Sequence, residues 1–437
     1  MKTLFHVLQF EWKTLKRSRS LGVLLWVFLG AGVYGIYFGK FEIDEQRIRI
    51  AEVEEFEKQQ FDSLMLRTKL DTTISANTQK YNSATMPSRF GLKGPFVYYV
   101  SKDLHPLAGL CLGQIDLFPA YYGFHIQALA KQLGTNELAN PMKLLAGNFD
   151  LSYVIVFLLP LVIVALFYTV YASEKESGTL FLLRSEPIAL GMVLLGKGLP
   201  RVLVILGLVT FLLALGFVIH GVSLADHFGL FFRWLWIIYG YSLLWILFMG
   251  IIVWLRLGSA LSAILGLGGW LIFTVIAPAL LNLFVSAQEP LPNRAEMIHA
   301  VRNLNDKNWN TPKSFVFDRF YADHPALNQG DTSDFIKWYY ASFTLLDKEA
   351  NRLKGTFEAQ VKQRNERLEK WKWLAPAAWV HEKLSRSCGT DRREHMAFLQ
   401  EVHAFHEDLK SLYYPKIFNE QRFTMEDLKK LEERITL

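Results

Sequence analysis

Cysteine is almost missing from this chain. Cys111 and Cys388 are the two present in 437 residues, and neither stands at metal-ligand spacing from a partner. A cysteine-built metal centre is excluded, while a disulfide between them and two free thiols both stay open. No Gly-x-x-x-x-Gly-Lys-Ser/Thr loop is available to cradle phosphates, so the chain is not expected to hydrolyse ATP or to hold a cofactor of its own. The apolar runs carry no row of Asp, Glu or His, which argues against a proton- or ion-coupled carrier, whose working groups lie there. Enzyme motifs are equally scarce. His381-Glu382 opens like a zinc-protease motif but lacks its second His, and Ser177 has no His/Asp partner nearby. His395, His403 and His406, with Glu407, read as satisfied surface histidines before they read as metal ligands. The net charge of +6 is spread along the chain without a basic patch, which argues against a nucleic-acid partner.

What is present is segregated. Hydrophobic residues make up 51% and charged residues 20%, averages that conceal five apolar runs and two long polar regions. The runs at 21–39, 151–172, 201–220, 231–255 and 257–285 each approach or exceed the ~20 residues a spanning helix needs. Five of that length exclude buried core helices of a soluble protein. Pro160 and Pro278 are expected to kink the second and fifth, the freed carbonyls being satisfied by neighbours. Gly35/Gly39 and Ser262/Gly266 have the small-xxx-small spacing of close helix contacts.

Orientation follows from basic residues near the span ends. The leading segment holds Lys2, Lys13, Lys16, Arg17 and Arg19 against Glu11, and the 173–200 connection holds Lys175, Arg184 and Lys197. The connection at 221–230 has no Lys or Arg. The N-terminus and 173–200 therefore face the cytoplasm, and 40–150 and 286–437 lie outside it. Within 1–20, Phe5, Leu8, Trp12 and Leu15 recur at three- and four-residue spacing, with Glu11, Lys13, Lys16 and Arg17 mostly opposite. That pattern describes an amphipathic helix lying in the lipid headgroups.

The outer regions read differently. The stretch 43–70 is a charged helix with a narrow apolar stripe, continuing the first span as a stalk. Irregular or short-strand sequence follows at 86–122, rich in Gly, Pro and aromatics, and Asn140-Pro141 precedes the second span. The second outer region is largely helical, with a helix start at Thr424 and an aromatic cluster at Trp371, Trp373 and Trp379. That cluster suits either a membrane–water interface or the inside of a helical domain. The fold class is thus mainly α: a polytopic bundle of five spans with two extracytoplasmic regions forming a mostly helical outer domain.

A short charged island remains, Glu174, Lys175, Glu176, Ser177, Gly178, Thr179 and Leu180, followed by Ser185-Glu186-Pro187 and Gly196-Lys197. With the amphipathic leader, this resembles the permease subunit of ABC-2 type transporters. The stretch Trp373-Leu374-Ala375-Pro376, then Cys388-Gly389-Thr390-Asp391-Arg392-Arg393 and His395, Phe398 and Val402, resembles a bacterial subfamily of unassigned function with a large extracytoplasmic domain. The resemblance implies an inner-membrane exporter driven by a separate ABC ATPase, which would bind ATP and Mg. It implies an elbow helix at Phe5, Leu8, Trp12 and Leu15, and a dimer with a second copy or a sister permease. It also implies that Glu174 to Leu180, with Pro187 and Lys197, form the ATPase-coupling loop. There a short surface helix beginning near Ser173 or Glu174 would present its acids to the ATPase. The alternative is a non-transporting scaffold that signals mechanically through its outer domain. The family has six spans and this chain shows five, so either the chain is truncated or a partner completes the bundle.

Overall fold

An apolar helix in lipid satisfies its backbone internally, and helix accounts for nearly all the regular structure here. The structure, a computed structural model, describes residues 2–71, 86–87, 96–115, 117–136, 148–185, 189–290, 293–328 and 332–436. Glu186, Pro187, Gly91, Gly94, Pro95, Asn140 and Pro141 lie outside the described residues.

After α1 (Lys2–Arg17), five helices among the described residues are long and apolar enough to cross a membrane. They are α2 (Arg19–Asp71), α4 (Leu151–Glu176), α6 (Leu190–Ile219), α7 (Phe228–Trp254) and α8 (Ser259–Gln288). The short α3 (Leu129–Asn136) precedes α4, and α5 (Thr179–Ser185) lies between α4 and α6. Helix α4 is the centre of the bundle: 61% of its apolar window is buried, against 22% for α2 and 17% for α8. Around it the bundle core gathers Leu159, Ile163, Leu212, Trp234 and Trp245.

Glycine spacing marks two of the contacts. A Cβ on Gly39 would lie 1.7 Å from the Gly109 carbonyl oxygen, so α2 crosses the 3-10 turn Ala108–Leu110 backbone to backbone. On α8, a Cβ at Gly266 would strike Val164 of α4 at 2.6 Å. At both prolines, where kinks are expected, the preceding turn departs from α-helical geometry. Pro160 has no N–H to offer Val156, and the preceding turn, Val154–Leu158, widens to a π-helix. Neighbours then satisfy the displaced carbonyls: the Tyr241 hydroxyl donates to Val156 O at 2.8 Å, and Trp270 Nε1 donates to Phe157 O at 2.9 Å. A second π-helical turn, Ile272–Ile276, precedes Pro278.

Helix α2 does not stop with its apolar run. Fifty-three residues make it about 80 Å long, more than twice the ~30 Å hydrocarbon thickness of a bilayer. Its polar extension carries the antiparallel pair β1 (Tyr98–Ser101) and β2 (Tyr121–Phe124). The attachment is regular: Gln60, Glu57 and Glu54 accept hydrogen bonds from Val97 N, Tyr99 N and the Ser101 hydroxyl.

On this scaffold sits a polar head built from α9 (Arg294–Trp309), α10 (Lys313–Asp323), α11 (Phe335–Trp371), α12 (Pro376–Ser387), α13 (Arg392–Phe418) and α14 (Met425–Thr436). Helix α14 starts at the expected place, where Thr424 and Asp427 bond each other's backbone N–H. The head has its own aromatic core, with Tyr98, Phe124, Phe317, Phe320, Tyr340, Tyr413 and Phe418. Each such ring contributes about 1.5–3 kcal/mol by leaving water. A buried ion pair lies within it. Asp347 binds Lys410 at 3.1 Å and accepts from the first amides of α3, Leu129 N and Ala130 N.

Candidate functional site

Two places combine charge with a joint between helices. The first is the end of the bundle away from the head, which carries α1, α5 and the α7–α8 turn. The apolar run of α4 ends near Ala172, yet the helix continues through Glu176. Glu174 and Glu176 therefore close the second span instead of opening a surface helix, and the short helix is α5, at Thr179–Ser185. Helix α6 likewise begins at Leu190, so Lys197 lies within a helix and not in a loop. Charge did not break these helices because it is paired between them.

Glu174 forms a salt bridge with Lys197 of α6 and accepts a hydrogen bond from the Thr179 hydroxyl at the start of α5. Two residues on, Glu176 Oε1 accepts from Ser259 N at 2.7 Å, capping the first turn of α8. Between them, Lys175 Nζ donates to Arg256 O at 3.3 Å. Arg256 is held in the left-handed region, φ 58°, in the tight turn from α7 to α8. The Ser177 hydroxyl donates back to Ser173 O at 2.7 Å, and Gly178 (φ 78°) then turns the chain out of α4, a conformation that favours glycine. Leu180 is half-buried, while Phe181 (78% exposed) and Leu182 (67%) stand free on α5.

Helix α1 packs against α6. Its Glu11, assigned from sequence to the polar side, is buried and bonds Arg201 at 2.5 Å. Of the four elbow residues, Phe5 and Trp12 are exposed, and Leu8 and Leu15 are half-buried. Sequence reading missed the roles of Glu11, Arg201 and Ser259. The available signal was Arg201, a base set inside an otherwise apolar helical stretch and so in need of an acid.

The second place lies between head and bundle. A cavity of about 940 Å³ is roofed by α11, α12 and α13, with Glu366, His381 and Arg393 on its walls. Its floor includes Phe157 and Thr274, one residue from each π-helical turn, and Pro278. π-helical turns are rare and concentrate at functional sites. Beside it, α11 grips the end of α8: Arg364 donates to Asn282 and Ser286, and Arg367 pairs with Glu289 at 2.9 Å.

The remaining histidine candidates are spread through the head. His395 stacks on Phe118 with ring centroids 3.8 Å apart, His406 bonds Gln127 O, and His403 lies near Lys354. Burial, with the Lys354 ammonium beside it, lowers the His403 imidazole to about 4. Cys111 and Cys388 are both buried and free, and burial pushes both thiols up.

Residues 294–433 match the family model described as a domain of unknown function, DUF3526. The match covers about a third of the chain. It begins with α9 and ends within α14, and so takes in α11, which grips α8, and α12, which roofs the cavity. The spans lie outside the matched domain. A comparison with curated proteins finds no match.

Proposed function

We propose that this chain is the membrane-spanning permease subunit of an ATP-driven transporter of the ABC-2 type, an exporter worked by a separate ATPase subunit. One observation carries the reading: three consecutive residues, Glu174, Lys175 and Glu176, tie α4 to α6, to the α7–α8 turn and to the first amide of α8, directly beside the exposed α5. A push on α5 would reach several spans at once. In this proposal α1 and α5 face the cytoplasm of a bacterial inner membrane, the head lies outside, and Phe181 and Leu182 meet the ATPase. That ATPase holds ATP and Mg. A second membrane subunit completes the pathway, a role for which the apolar face of α8 is free in this chain.

The contact and the linkage can be separated experimentally. Phe181→Asp with Leu182→Asp should abolish co-purification of an ATP-hydrolysing subunit from native membranes. Glu174→Gln should leave that association intact and uncouple hydrolysis from transport. If the double variant keeps both its ATPase and transport, the assignment of α5 is wrong.

A second reading draws on the grip of Arg364 and Arg367 on α8. On that reading, motion of the spans would be delivered to the head as a mechanical signal without cargo. Bulky substitution at Ala378, on the cavity wall, distinguishes the two. It should block an exporter and leave a relay working.

A further inference from the structure

The groove between α7 and α12 has a composition that the proposed coupling does not use. It encloses about 590 Å³, and its lining includes Arg233, Lys383 and Arg386 but no acid. Arg386 is neutralised from behind by Glu369 and Glu382. Arg233 and Lys383 have no ion pair among the described residues, although Lys383 rests over the Trp379 ring at 6.0 Å. Two cations thus line one groove with no anion among the described residues paired to them.

Apart from Ser387 and the Tyr241 hydroxyl, the rest of the groove is apolar. On α7 it follows one helix face, Arg233, Ile237, Gly240 and Leu244, at spacings of four, three and four. The eleven residue steps from Arg233 to Leu244 rise about 16 Å, close to half of a ~30 Å hydrocarbon core. The floor is open at Gly240, for a Cβ there would meet nothing within 4 Å. Arg233 is in the second turn of α7, and Trp236 (82% exposed), Trp373 (67%) and Trp379 (41%) stand exposed around the head–bundle junction. Exposed tryptophans at the ends of spans sit at headgroup level.

We propose that this groove binds an anionic phospholipid of the leaflet on the head's side. Its phosphate lies between Arg233 and Lys383, and one acyl chain runs along Ile237, Gly240 and Leu244. The proposal requires α7 to span the membrane but does not depend on the transport reading.

Native mass spectrometry of the full chain, extracted from vesicles containing equal phosphatidylglycerol and phosphatidylcholine, tests it. One phosphatidylglycerol per chain should survive washing that removes phosphatidylcholine. Arg233→Gln with Lys383→Gln, both on the surface of folded helices, should lower that occupancy about tenfold, the scale of losing two exposed charge contacts. Gly240→Trp should lower it with both cations intact, by filling the chain's channel, and unchanged thermal unfolding would confirm that the fold survives. Equal retention of both lipids, or full retention by the double variant, overturns the proposal. Displacement of the lipid by millimolar inorganic phosphate would also overturn it, since that result describes an anion site with no use for the acyl chain.

Discussion

The bundle end and the head both pair acids with bases, but they arrange the pairs differently. At the bundle end each acid reaches a helix other than its own: Glu11 to α6, Glu174 to α6 and α5, Glu176 to α8. In the head, Asp347 is a single hub that gathers Lys410 and two amides of α3 inside one core. Exposure separates the Glu174–Lys197 pair from the hub as well, whereas Glu11–Arg201 is as buried as the hub. The Glu174 and Lys197 side chains are 20% and 11% exposed, and those of Asp347 and Lys410 are 6% and 7%. A bond that water can reach can open and re-form at modest cost, which suits a joint. A dry hub cannot, because each partner left alone is a buried charge.

This contrast can be broken first at the hub. Asp347→Ala would leave Lys410, among the described residues, with the exposed Glu407 as its remaining acid and strip two α3 amides of their acceptor. We expect a loss of about 3–5 kcal/mol, the scale of removing one partner of a buried pair, read as early unfolding of the head by circular dichroism. A variant as stable as the parent would show that the hub is not what makes the head rigid. Next in size is the stalk joint. Gly39→Ala drives a methyl into the Gly109 carbonyl, and overpacking of this kind costs about 1–3 kcal/mol, measurable as a lower melting temperature of the detergent-solubilised chain. Bundle and head should both loosen, since α2 belongs to each.

The smallest effect is a pH dependence confined to the head. His403 titrates near 4 when folded and near 6.5 when unfolded, so the unfolded chain takes up the proton first as pH falls. Stability is therefore complete above about 6.5 and declines between 6.5 and about 4. Glu407, held down to about 2 by the His406 imidazole beside it and by Lys410, loses its contribution only in a lower window, from about 4.5 to 2. His403→Gln should flatten the melting temperature between pH 6.5 and 5 by a few degrees and leave the lower decline. A profile identical to the parent's would remove His403 as its source.

Much of the architecture is legible in the residues because a membrane turns a local property into a long-range one. Twenty apolar residues specify a spanning helix wherever the rest of the chain goes, and Pro160 and Pro278 announce disturbed turns for an equally local reason. The helix limits are not legible in the same way. Charge at Glu174 and Lys197 reads as the edge of a span, yet each helix continues through it because the partner lies on the neighbouring helix. Nor does periodicity place Glu11, which reads as polar-face and is buried against Arg201.

The sequence by itself determined five membrane-length helices, a charged island between the second and third, and a mostly helical head, since hydropathy and helix capping act within a few turns. The tertiary structure alone decided what the island does with its charges. Whether Glu176 faces water, a partner or the first amide of α8 depends on the register and rotation of packed helices, and those are fixed by contacts such as Gly39 on Gly109 and Gly266 on Val164 between residues far apart in the chain.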